Sequence, residues 1–241
     1  MSKLPDIRLY TAATMNGWKP VIFLEEAGVE YELTRIDFAK REQKSAWYLK
    51  LNPNGRIPTI VDRGNGDFVV FESGAILWYL AEKFDRFLPA GHNARSQALQ
   101  WLMFQLSAIG PMMGQAMYFQ RIAEPLGHRD EFAITRYVNE SRRLLEVLDR
   151  QLAGKSFLLG DEYGIVDMAS YPWARSHSWA KVDVQGLDNL NRWLATIDAR
   201  PAVRRALQIP EPFPAFFGDG DIQAAERANS TRFRSDVTTI R

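Results

Sequence analysis

No cysteine occurs among the 241 residues, and that absence excludes more than any other feature of the chain. Disulfide scaffolding, thiolate metal sites, a CxxC redox pair and a cysteine nucleophile are all ruled out. If the protein handles sulfur chemistry, the sulfur must arrive on a small molecule. Histidine is scarce as well: His92, His128 and His177 lie far apart and none has a histidine partner three or four residues on, so no metal site is expected. A surplus of charge is also lacking. The formal net charge of +1 gives no electrostatic reason to expect nucleic acid or an acidic membrane surface as a partner. With no apolar run of about 18 residues and no basic-then-apolar leader, the expectation is a soluble, cytoplasmic protein.

What is present divides into two kinds of pattern. Ile7 to Thr11 suits a first strand, and Trp18 to Ala27 carries a helix pattern that Gly28 stops. Pro20 fits that helix only in its first turn, which predicts a start near Asn16 or Gly17. Tyr31 to Phe38 is a second strand, so the first 38 residues form a βαβ unit with parallel strands. The region 39–52 reads as irregular or loosely helical. Asn65-Gly66 marks a two-residue hairpin, which pairs 57–62 with 68–72 antiparallel. A helix follows through Ala75 to Glu82, completing a βαβ-α-ββα arrangement, an α/β domain over residues 1–86. Residues 87–95 read as a linker. From Ser96 to Ile209 the patterns are helical throughout, giving an all-α domain over 96–209, with a bend expected at Gly110-Pro111. Asp167 is placed to reach back to the free N–H groups at Gly164, as in a capping box whose hydroxyl residue has become glycine. Residues 210–241 read as an extended C-terminal tail whose Phe213, Phe216 and Phe217 could cover a cleft.

The stretch from Asn52 to Ile76 carries the functional signal. Pro58 removes a ladder donor and so belongs at the start or edge of its strand, and a cis Ile57-Pro58 bond would turn the backbone of Ile57 outward. Ser73 falls at a helix N-terminus, where free N–H groups and the positive end of the dipole favour an anion. Together these make a seat for an extended peptide that carries a carboxylate. The same features also describe a proline bulge followed by an ordinary serine N-cap, and the residues alone leave both open.

The combination of these motifs resembles the cytosolic glutathione S-transferases. The segments Thr14-Met15-Asn16-Gly17, Phe23-Leu24-Glu25-Glu26, Asn52 to Pro58 and Phe71 to Ile76 are similar to the nu-class, Ure2-like branch. So are Gln100-Trp101, Gly110 to Gln115, Arg136-Tyr137 and Pro172-Trp173. The resemblance implies a thioredoxin-like N-terminal domain, an all-helical C-terminal domain, a homodimer, and glutathione as co-substrate in disulfide reduction or attack on electrophiles, with two glutathiones or glutathione disulfide in one site. It implies roles for single residues too. Ile57, beside Pro58, would pair its backbone with the cysteinyl part, Glu72 and Ser73 would hold the γ-glutamyl end, and Gln43 and Arg56 would lie near the glycyl end or the entrance. Thr14 and Asn16 would face the sulfur, and Arg136 would reach the ligand from the helical part. Met15 departs from the proline often found there.

A free thiol titrates at about 8.5, so little of it is nucleophilic thiolate at neutral pH. One hydrogen bond to the charged form is worth about 1.5–3 kcal/mol, or about 1–2 pKa units. Thr14 and Asn16 could supply it, and neither can act as a base. Their other reading is a plain turn and N-cap. Tyr10, inside the first strand, is expected in the core, and Arg136 could be a solvated helix residue. Trp101, Phe104, Tyr118 and Phe119 suit a bundle core, the last two with the option of facing the cleft. The Asn/Gln-rich extension of prion-like regulators in this branch is lacking, which favours an enzyme over a non-catalytic binding module.

Overall fold

A computed structural model describes residues 5–212; the tail from 213 onward, with Phe213, Phe216 and Phe217, lies outside the described residues. Four strands form one mixed sheet in the order β2-β1-β3-β4, from β1 (Ile7–Thr11), β2 (Tyr31–Arg35), β3 (Thr59–Asp62) and β4 (Phe68–Phe71). As expected, β1 runs parallel to β2 and the β3–β4 hairpin is antiparallel; β3 also pairs antiparallel with β1. The helices are α1 (Met15–Ala27), α2 (Ala46–Leu49), α3 (Ser73–Phe84), α4 (His92–Phe104), α5 (Gly110–Tyr118), α6 (Glu131–Gln151), α7 (Ile165–Arg175), α8 (Asp188–Asp198) and α9 (Pro201–Ala206). This is a thioredoxin-like sheet with its helices, followed by an all-helical part. One apolar core runs through both, from Ile7, Phe23 and Leu77 to Met168, Trp193 and Ile197.

The differences from the sequence expectations have local causes. The hairpin is not a two-residue turn: Asp62 pairs with Phe68, which leaves Arg63 to Asp67 as the loop. Asp62 is wholly buried, bonded to Lys83 at 2.7 Å and to the Tyr79 hydroxyl at 2.5 Å, while Arg63 N–H donates to Asp6 O at 2.8 Å. These ties end the strands before Asn65-Gly66 can form the turn. Helix α1 starts at Met15, so Pro20 falls beyond its first turn. Helix α4 opens at His92, within the span expected to be a linker. At Gly110-Pro111 the helical course continues, but the α-helix is interrupted just before the pair by a π-helical turn over Gln105–Ile109 that joins α4 to α5, with Pro111 in the first turn of α5.

Asp167 is buried at the start of α7 and makes the reach expected of it. Its Oδ2 accepts from Gly164 N–H at 3.1 Å, and its Oδ1 accepts from Leu158 N–H at 3.0 Å and from the indole N–H of Trp193 at 2.8 Å. The carboxylate thus gathers donors from α8 and the preceding loop as well as from the cap. Removing it strands three buried donors, at about 1–3 kcal/mol each. Asp167→Ala should therefore lower unfolding stability by several kcal/mol in chemical denaturation, and a change below 1 kcal/mol would show that these bonds are dispensable.

Candidate functional site

Two helix N-termini face one cavity of about 1400 Å³ between the sheet part and the helical part. The first belongs to α1. Thr14 is its N-cap and accepts from Gly17 N–H at 3.0 Å. Gly17 is required there, because a Cβ would stand 2.1 Å from the carbonyl of Ala12. The capping bond uses Thr14 Oγ1 as an acceptor, so its own proton stays available to a ligand. Asn16 is tied across to the helical part: its Oδ1 accepts the indole N–H of Trp173 at 2.9 Å. An indole nitrogen only donates, so the contact fixes the amide orientation and leaves the Asn16 NH2 as a donor. Both residues line the cavity.

The second N-terminus is that of α3, and it has no side-chain cap. Ser73, Gly74 and Ala75 are its first three residues, so their N–H groups lack intrahelical partners. Glu72 precedes them with φ 70° and ψ 121°, a region that costs a non-glycine residue about 1–3 kcal/mol and that clusters at ligand sites. Gly74 lets α3 approach the π-helical turn, since a Cβ would lie 2.4 Å from a methyl of Leu106. Arg56, Glu72 and Ser73 line the cavity with Thr14 and Asn16.

The turn leading to Arg56 is stitched from beneath. Asn52, buried, donates to Arg56 O at 2.7 Å, as does the Tyr48 hydroxyl at 2.8 Å. The Ile57-Pro58 bond is cis. Neither the N–H nor the carbonyl of Ile57 has a backbone partner among the described residues. The Ile57 side chain packs on Tyr10, Ile36 and Tyr48, and neither it nor buried Pro58 lines the cavity. Tyr10 is in that core cluster, as expected. Gln43 sits in a short 3-10 turn and Arg136 on the exposed side of α6; the structure brings neither into the cavity lining. Tyr118 lines the cavity, whereas Phe119 stacks on Tyr137 and Trp101 meets Phe104 edge to face.

Three further residues of the lining escaped the sequence reading: Lys19, Gln105 and Trp173. Lys19 is wholly buried and donates to Gln105 Oε1 at 2.6 Å and to Ser73 Oγ at 3.2 Å. Burial pulls its ammonium down to about 7, against the opposing field of Glu72. The signal was in the run Trp18 to Leu24, where a lone lysine among large apolar residues has little chance of reaching water. Among the described residues no group of His, Cys, Asp and Glu could hold a metal ion, and no helix is long and apolar enough to cross a membrane.

Comparison with known proteins supplies the context. Residues 5–82 match the glutathione S-transferase N-terminal domain and residues 108–201 the glutathione S-transferase C-terminal domain. The disulfide-bond oxidoreductase YfcG of Escherichia coli (strain K12) is 39% identical over 205 residues, covering 83% of this chain and 94% of the relative. A glutathione transferase family member from Pseudomonas fluorescens, crystallised with two glutathione bound, is 41% identical with a TM-score of 0.80, covering 87% of this chain and 96% of the other. A Pseudomonas putida glutathione transferase with one glutathione disulfide bound per subunit is 40% identical with a TM-score of 0.79, over 87% and 94% of the two chains.

The Trp173–Asn16 bond is testable without any ligand. Trp173→Phe keeps most of the ring packing but removes the donor to the Asn16 oxygen, so thermal unfolding should show a loss of about 0.5–1.5 kcal/mol. Unchanged stability would mean that the amide is not held.

Proposed function

The chain belongs to the glutathione S-transferase family, in its nu-class, Ure2-like branch, and from that premise we propose that it is a glutathione-dependent disulfide-bond oxidoreductase. The observation that carries the reading is the pairing of two hydrogen-bond donors, Thr14 and Asn16, with an uncapped helix N-terminus at Ser73 across one cavity, in a protein without a thiol of its own. Such a site binds a molecule that brings both an anionic end and the reacting sulfur.

In this reading Ser73, with the free N–H groups of α3, receives the γ-glutamyl carboxylate, and Glu72 receives the adjoining ammonium. The backbone of Ile57 at Pro58 pairs with the cysteinyl unit, and Arg56 stands by the glycyl end. The Thr14 hydroxyl and the Asn16 amide donate to the sulfur and favour its thiolate, aided by the dipole of α1. The thiolate attacks one sulfur of a small disulfide and expels the other as a thiolate. A second glutathione thiolate then attacks the glutathione sulfur of the mixed disulfide and releases the remaining half of the substrate as the second product thiolate, so two thiols are oxidised to glutathione disulfide as the substrate disulfide is reduced to two thiols. A cavity of about 1400 Å³ exceeds the roughly 300–1,000 Å³ usual for one small ligand and leaves space for the second tripeptide. The reading includes a homodimer in the cytoplasm; the exposed apolar side chains of Phe68 and Phe71 on the edge strand β4 support a subunit contact. Gln43 and Arg136, outside the lining, would take part only through a rearrangement or a second ligand.

The assay is reduction of a small mixed disulfide by glutathione. Thr14→Ala combined with Asn16→Ala should lower kcat/KM by about 10- to 100-fold, the equivalent of one charge-assisted hydrogen bond or slightly more, while Thr14→Ser retains most of the rate. Full activity in the double variant would overturn the assignment of these two residues. Binding of glutathione without any turnover in the parent protein would instead favour a non-catalytic module.

A further inference from the structure

The buried ammonium of Lys19 has no part in the chemistry proposed above, yet it lies directly behind the residue that receives the anion. It reaches Ser73 Oγ from α1 and Gln105 Oε1 from the π-helical turn, and its third N–H has no acceptor among the described residues. Because Ser73 Oγ accepts from Lys19, the serine proton is not used in that bond and stays available to a ligand in the cavity that both side chains line. Gln105 is neutral, and its own amide nitrogen is buried without a partner, so nothing in the pair neutralises the charge.

The other charged groups near α1 are accounted for. Glu72, on the residue before Ser73, is the charge whose field reaches Lys19, and it favours protonation. Farther along α1, Glu25 and Glu26 are held by Arg205 and Arg200. From α7, Asp167 is enclosed by its own three donors, and Trp173 faces Asn16. The uncapped N-terminus of α3 adds a positive end that opposes a cation at Lys19 until an anion covers it.

We infer that Lys19 is a positioning residue whose protonation is coupled to ligand binding: a carboxylate arriving at Ser73 and the α3 N–H groups holds the ammonium charged, and the charged lysine fixes the Ser73 hydroxyl as a donor. The inference rests on the glutathione reading of this site. A merely structural lysine would bridge α1 to α3 with or without a ligand and exchange no proton on binding. The free protein's Lys19 titrates at about 7, and the anion raises that value. The sign follows: affinity is complete below pH 7 and falls as pH rises through the value in the complex, with protons taken up between the two.

Calorimetry of the full chain with S-methylglutathione, whose sulfur cannot ionise, isolates this proton. Binding heats measured in buffers of different ionisation enthalpy should report uptake approaching one proton per ligand at about pH 8 and close to none at about pH 6, with Kd rising up to tenfold per unit in between. In Lys19→Met both the uptake and that pH dependence should vanish. Lys19→Arg, charged throughout, should take up no proton and should hold its affinity at the higher pH. The ligand's own amino group titrates alike in all three proteins and cancels in the comparison. Binding by the parent protein with no buffer-dependent heat, or uptake that persists in Lys19→Met, would overturn the inference while leaving the glutathione site standing. Absence of any binding heat would overturn both. If Lys19→Met fails to fold, the comparison with Lys19→Arg decides: uptake at about pH 8 that is present in the parent protein and lost in Lys19→Arg supports the inference, and equal uptake in the two refutes it.

Discussion

A lysine sealed among three helical segments organises this molecule. The Lys19 ammonium has two acceptors, one on α3 and one on the turn between α4 and α5, and a buried cation tolerates little displacement of the groups that satisfy it. The bond to Ser73 sets the start of α3 against α1 within the sheet part, and the bond to Gln105 draws the helical part onto the same point. Asn16 and Trp173 repeat the arrangement a few residues away. The cavity between the two parts therefore has walls held by polar contacts as well as by the continuous apolar core, and those contacts are made by the residues that line it.

The placement of the site follows from elementary backbone physics. A helix whose first turn is capped by a threonine still presents the hydroxyl proton, and a helix whose first turn is uncapped presents three amides. Opening on one cleft, the two ends offer donors at two points, which suits an extended molecule with a soft nucleophile at one point and a carboxylate at the other. Nothing in this scheme needs a base, a metal or a thiol from the protein, which is consistent with a sequence so poor in histidine and cysteine.

Much of this could be read from the sequence because the signals were local. Turn and helix-start chemistry at Thr14, Asn16, Pro58 and Ser73 depends on neighbours within a few residues, and the structure shows those elements where the patterns put them. The contributions of Lys19, Gln105 and Trp173 are of another kind. Each acts on a partner between 54 and 157 positions away in the chain, and no periodicity records such a pairing. The hairpin was misjudged for the same reason: Asn65-Gly66 has the right local chemistry, but the long-range hold of Asp62 on Lys83 and Tyr79 decides where the strands stop. Arg136, chosen by likeness of a short motif, points to solvent because its place on α6 is set by the apolar stripe of Ala133, Leu144, Leu145 and Leu148.

The wide turn over Gln105–Ile109 accommodates a phase change in a helical path that runs from His92 through Tyr118. One residue of α-helix turns the side chains by about 100°, so a loop-out of this size lets the stretch before it and the stretch after it address different surroundings without a break in the rod. Upstream, Leu99 and Leu102 line the cleft; downstream, Gly110 and Gly114 lie flat against the indole of Trp173. Excising a single residue from this turn would shift every later side chain round the axis, swinging the glycine strip away from the indole and a bulkier flank into its place. The chain's length between Gln105 and Gly110 is thus as much a determinant of the cleft's shape as the identity of any residue within it.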